Sequence, residues 1–173
     1  MLGKIFIPYH TQRRSRKKVH RLSSSYDQAT TIGVVCSYGS LIEQDNQIDE
    51  FVENLKNESK KVSLLVFHEN SSNTSGISNN SFSKRDLNFF GFWNNEKVKV
   101  FLEKEFDFLI NLDLEYNMFI GNIMASSKAR CRIGVYNEEA ENSLELMIKP
   151  DVFTVDGLIA GTMNMLKRIR DDE

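Results

Sequence analysis

Ser37, His68 and Asp113 have side chains suited to polar recognition or proton transfer. Each follows a short apolar run: TIGVVC (Thr30 to Cys36), VSLLVF (Val62 to Phe67) and FLINL (Phe108 to Leu112). If these runs are parallel strands, the three side chains gather beyond the carboxyl ends of one sheet, where open α/β sheets bind their ligands. A hydroxyl, an imidazole and a carboxylate held together there could do acid–base work. Tyr38, Gly39, Ser40, Glu69, Asn137 and Glu138 follow the same strand ends or a fourth. Strand-end loops are polar in any α/β protein, so the spacing supports a cleft and assigns no catalytic residue.

The motifs that carry harder chemistry are missing. The SYGS turn after the first strand has no GxGxxG or GxxxxGK[ST] pattern, so the backbone cradle and lysine of a nucleotide phosphate site are not in place. HExxH, CxxC and GxSxG do not occur. Cys36 and Cys131 sit in apolar runs without a second Cys or His at ligand spacing, which fits buried free thiols rather than a disulfide framework or a metal site. No cofactor is expected.

The elements that must position these residues read as follows. Continuous rather than alternating apolar runs, separated by helical patterns, indicate a parallel sheet covered on both faces. Strands are expected over Thr30 to Cys36, Val62 to Phe67, Phe108 to Leu112 and Ala129 to Tyr136, with Leu144 to Ile148 as a fifth. Helices are expected around Asp49 to Leu55, Val98 to Glu105, Leu114 to Ser126 and Thr154 to Arg170, the last with one apolar stripe from Val155 to Ile169. The Ser- and Asn-rich stretch Asn70 to Ser83 reads as a loop. Phe89, Phe90, Phe92 and Trp93 read as an aromatic plug closing one end of the sheet, with a platform for stacking bases or sugars as the alternative. The two prolines, Pro8 and Pro150, lie near the two ends of the chain, and the stretch between them is free of this helix and strand breaker. The fold expected is a Rossmann-like three-layer α/β sandwich with four to five mainly parallel strands.

Charge is unevenly distributed. Residues 1–30 hold seven basic residues against Asp27, a net of +6, and residues 31–173 hold fifteen against twenty-three, a net of −8. Six of the basic residues, Arg13, Arg14, Arg16, Lys17, Lys18 and Arg21, fall within nine positions. This divides the 173-residue chain into a basic N-terminal arm (1–29) and a single α/β domain (30–173). Ser23 to Ser25 read as a hinge, and His10 and His20 add contact or partial charge. Such an arm attracts RNA or a ribonucleoprotein by counterion release. It could equally fold onto the acidic body, where burial of Val19 and Leu22 would mark it as structural. With Ile5 to Ile7 beside it, it could also hold an anionic membrane surface. The opening MLGKIFIPYH is too short to span a bilayer and lacks the pattern of a secretory signal, and Gly3 stands one place late for myristoylation. A cytoplasmic protein is expected.

DLNFFGFW (Asp86 to Trp93) and the stretch from Lys99 to Ile148 resemble an uncharacterised family of small Bacteroidota proteins, a domain of unknown function with a basic segment before an α/β body. That resemblance covers most of the chain and implies fold class but no activity. A shorter stretch, Phe106 to Tyr136, is similar to a strand–helix–strand unit in the N-terminal half of heptosyltransferase-type glycosyltransferases. It implies a shared scaffold, because those enzymes need a second domain for which this chain has no room. The leading expectation is a non-enzymatic binding protein whose arm contacts RNA. The alternative is a domain, perhaps descended from half a glycosyltransferase, that binds a nucleotide, nucleotide sugar or other small molecule in a cleft lined by Ser37, His68 and Asp113. A peripheral membrane protein held by residues 2–21 is the third.

Overall fold

The computed structural model describes residues 25–38, 42–69 and 80–169. The basic segment Arg13 to Arg21, with Val19 and Leu22, lies outside the described residues, as do Gly39, Ser40 and most of the Ser/Asn-rich stretch. In chain order the elements are β1 (Thr31–Ser37), α1 (Ile42–Asn57), β2 (Lys61–His68), β3 (Ser81–Ser83), α2 (Glu96–Glu103), β4 (Phe108–Asn111), α3 (Met118–Ser126), β5 (Cys131–Val135), β6 (Leu146–Ile148) and α4 (Val155–Leu166). The strands form one six-stranded sheet in the order β3-β2-β1-β4-β5-β6, every neighbouring pair parallel. This is a Rossmann-like three-layer α/β sandwich. The sheet has one strand more than expected, because Ser81–Ser83 closes the polar stretch as an edge strand paired to Val66–His68.

The continuous apolar runs have a direct structural reason. Successive strand residues face opposite sides, and here both sides are buried. Ile32, Val34 and Cys36 of β1 pack with Phe51, Val52 and Leu55 of α1 and Leu158 and Leu166 of α4. Val35 and, on β4, Leu109 pack instead with Val98 and Phe101 of α2 and Ile120, Ile123 and Met124 of α3. Burying each such side chain contributes about 1.5–3 kcal/mol. Tyr26 and Ala29, just before β1, are already part of the first core. Both cysteines are buried, as expected.

Helix starts are set by side-chain caps worth about 1 kcal/mol each. Asn95 Oδ1 accepts from Lys97 N, Asn117 Oδ1 from Phe119 N, and Thr154 Oγ1 from Gly157 N. The Asn117 cap delays α3 by a turn relative to the start expected at Leu114. Leu114, Glu115 and Tyr116 are thereby left as loop between β4 and the helix.

The aromatic plug is corrected. Trp93 is buried, stacks edge-on against Phe82 and donates its Nε1 hydrogen to Asn122 Oδ1 at 2.9 Å. Phe89, Phe90 and Phe92 instead stand 49%, 63% and 53% exposed. They sit on a turn whose geometry holds them out. Asn88 Oδ1 accepts from both Phe90 N and Phe92 N, and Gly91 takes a φ of 77° that favours glycine.

Candidate functional site

The strand order places a topological switch at β1, whose neighbours are β2 on one side and β4 on the other. Chains leaving β1 and β4 pass to opposite faces, since α1 packs on one core and α3 on the other. A crevice must open beyond the strand ends where these chains part. A cleft of about 980 Å³ occupies this position.

Ser37, His68 and Asp113 all line it. Two of them are bonded directly. Ser37 N donates to Asp113 Oδ1 at 2.6 Å and Ser37 Oγ donates to Oδ2 at 2.7 Å. Asn117 Nδ2 reaches Ser37 Oγ at 3.4 Å. Burial pushes the Asp113 carboxyl above its ordinary value, opposed by these two bonds from Ser37.

His68 ends β2 and is only 9% exposed. Burial lowers its pKa, with the Asp45 carboxylate pulling weakly the other way, so the imidazole is neutral at physiological pH. Its ring meets that of Tyr38 edge-on at 6.3 Å. Among the described residues nothing hydrogen-bonds its Nε2. A buried polar atom left so costs about 1–3 kcal/mol, which a bound group could offset.

Several wall residues escaped the sequence reading. Asp45 comes from α1, Lys84 from the turn after β3, and Glu115, Tyr116 and Asn117 from the loop that the Asn117 cap leaves non-helical. The Asn-x-Phe-Ile pattern at that cap was the available signal. Tyr116 lies so close over α3 that a Cβ on Gly121 would come within 2.9 Å of its hydroxyl. Tyr38 donates its hydroxyl to Asp49 Oδ1, and burial followed by that bond raises its pKa. Asn137 and Glu138 are elsewhere, Asn137 capping a short turn after β5 through Glu139 N. Among the described residues no group of three or more His, Cys, Asp or Glu side chains is placed to hold a metal ion. No helix among them is long and apolar enough to cross a membrane.

A family profile, described as a family of unknown function (DUF6913), matches residues 4–169. The chain belongs to DUF6913. Compared with the curated proteins and with the solved structures, this DUF6913 chain matches none. Membership thus agrees with the resemblance to an uncharacterised family and brings no activity with it.

Proposed function

We propose that this DUF6913 chain is a small-molecule-binding α/β domain and that its ligand occupies the cleft beyond β1 and β4. One observation carries the reading. Side chains from three strand ends, Ser37, His68 and Asp113, converge on a single cleft in which a buried imidazole nitrogen has no hydrogen-bond partner among the described residues. A volume of about 980 Å³ suits a ligand of metabolite size. The unit that resembles heptosyltransferase-type enzymes, Phe106 to Tyr136, supplies Asp113, Glu115 and Tyr116 to this wall. A nucleotide sugar is nevertheless a poor fit, because its diphosphate would face the carboxylates of Asp45, Glu69, Asp113 and Glu115.

Thermal denaturation with a panel of amines, sugars, nucleotides and nucleotide sugars tests the proposal. A ligand at a hundred times its Kd stabilises the folded state by about 2.7 kcal/mol, which raises Tm by about 5–10 °C in a domain of this size. That shift is expected for one class and should be lost in His68→Ala. If no panel member shifts Tm, the cleft is not the working site.

The charge partition favours a second reading for the other end of the chain. A segment with six Lys or Arg in nine positions on a body of net −8 fits contact with RNA. Removing residues 1–22 should abolish salt-sensitive binding of a structured RNA, and equal affinity with and without them would end this reading.

A further inference from the structure

Phe89, Phe90 and Phe92 are exposed together on a turn built to hold them out. The turn is the tip of a small hairpin. Asn94 N donates to Asp86 O at 2.7 Å and Asn88 N to Phe92 O at 2.9 Å, with Leu87 and Trp93 bridged antiparallel between them. Leu87 and Trp93 pack into the core shared with α2 and α3, which anchors the base of the hairpin. At the tip, Asn88 O accepts from Gly91 N, and Asn88 Oδ1 accepts from Phe90 N and Phe92 N. Phe89 and Phe90 meet edge-on at 5.7 Å, a favoured aromatic geometry. The rings are thus ordered before any partner arrives, which lowers the entropic cost of binding one. Because side chains alternate along an extended segment, burial of Trp93 turns Phe92 and Asn94 to the outer face, where both are exposed.

The charges along the same segment favour one kind of partner. Lys84 and Arg85 precede the hairpin and Lys97 follows it, all exposed and none in an ion pair among the described residues. Of the two carboxylates within residues 84–99, Asp86 accepts from Ser83 N and Glu96 pairs with Lys99. Cations beside exposed aromatic rings are the parts with which proteins hold single-stranded nucleic acid, since bases stack on the rings and phosphates meet the cations. A lipid surface fits less well, because seating the rings in it would also desolvate the Asn94 amide. A neutral carbohydrate would leave the cations unused.

We propose that Phe89, Phe90 and Phe92 form a stacking platform for the bases of a single-stranded nucleic acid. Lys84, Arg85 and Lys97 lie along its phosphates, and the Asn94 amide meets a base edge. This rests on the RNA reading of the segment Arg13 to Arg21, and goes beyond it by placing base recognition on the hairpin after β3. The basic segment supplies the attraction that depends on salt, and the hairpin supplies the part that depends on bases.

The test is fluorescence anisotropy of a labelled oligouridylate, and of an abasic oligomer of equal length, titrated with the full chain at low and high salt. The two carry the same phosphates, so their difference isolates stacking. The wild-type chain is expected to bind the oligouridylate about tenfold more tightly than the abasic oligomer. Phe90→Ser and Phe92→Ser, at exposed positions, should each lose most of that preference and keep the salt dependence. Phe90→Tyr should retain it, as should Val100→Ser at an exposed apolar position of α2. Equal affinity for the two oligomers, or a preference that survives both serine variants, overturns the platform and leaves the RNA reading of the basic segment in place. Binding of neither oligomer also ends the platform, and structured RNA alone then decides that reading. If the serine variants lose sedimentation with phosphatidylglycerol vesicles while oligomer affinity is unchanged, the rings serve a membrane and the platform is wrong.

Discussion

Asp113 accepts both hydrogen bonds that Ser37 can donate, 2.6 Å from the amide and 2.7 Å from the hydroxyl. The pair ties the end of β1 to the loop after β4, at the point where the two following chains part to opposite faces. Both residues line the cleft, so the pair fixes part of its floor.

Removing the carboxylate should separate shape from charge. Asp113→Ala leaves the Ser37 donors unmatched and is expected to cost about 1–3 kcal/mol. Asp113→Asn keeps an acceptor for Ser37 N and should cost less. The sign of the pH dependence follows from the raised pKa: its contribution is fullest in acid and is lost as pH rises through the folded-state value. Chemical denaturation between pH 3 and 8 checks this, with the stability of Asp113→Asn gaining on wild type as pH rises. A constant difference would show that the carboxyl is not perturbed.

Asp107 behaves in the opposite sense at the other end of the sheet. Burial alone would raise its carboxyl, but Oδ2 accepts from Thr30 N, Thr31 N and Thr31 Oγ1 at 2.9, 3.0 and 2.9 Å, and Arg130 lies beside Oδ1. The net effect holds it below the ordinary carboxylate range. Its contribution is therefore present at neutral pH and is lost as pH falls through that lowered value. Asp107→Ala should cost about 1–3 kcal/mol at pH 7, and the gap to wild type should close in acid. A gap that persists unchanged at pH 2 would contradict the assignment.

Arg132 and Glu145 join β5 to the segment before β6. The Arg132 side chain is 3% exposed, and its Nε and Nη2 donate to the two oxygens of Glu145 at 2.9 and 2.6 Å. Its Nη1 donates to Met124 O. Truncating one partner strands a buried charge, so Glu145→Ala is expected to lose about 3 kcal/mol. The double change Arg132→Met with Glu145→Leu should recover most of it, as measured by urea denaturation. Additive losses in the double variant would show that the pair is not coupled.

The aromatic turn and its neighbour should respond differently to substitution. Trp93→Ala removes a buried ring and the bond to Asn122, at an expected cost of about 3–5 kcal/mol. Phe90→Ser, at the most exposed of the three rings, should stay within about 0.5 kcal/mol of wild type. Equal losses would mean that the exposed rings do pack into a core.

The fold was legible because its strands are buried on both faces, which writes them as unbroken apolar runs such as Val62 to Phe67. Ser81–Ser83 was hidden because a three-residue edge strand of Ser-Phe-Ser has no periodicity to read. The aromatic stretch misled for a different reason. Phe89 and Trp93 look alike in composition, and only the turn fixed by Asn88 and Gly91 decides which ring points inward. Ser37, His68 and Asp113 were accessible from strand ends alone, since parallel strands send every following loop to one side. Asp45 and Lys84 were not, because the packing of α1 and of the turn after β3 brings them over the cleft, and no local pattern encodes that approach.

The most direct test of the cleft is the His68 ring itself, followed in a long-range ¹H–¹⁵N spectrum of the full chain during titration with each ligand that raises Tm. The other two histidines, His10 and His20, serve as controls. His68 is expected to show a neutral imidazole whose Nε2 resonance moves to saturation with ligand while those of His10 and His20 stay still. A His68 signal unmoved by every ligand that stabilises the protein would contradict the placement of the binding site beyond β1 and β4.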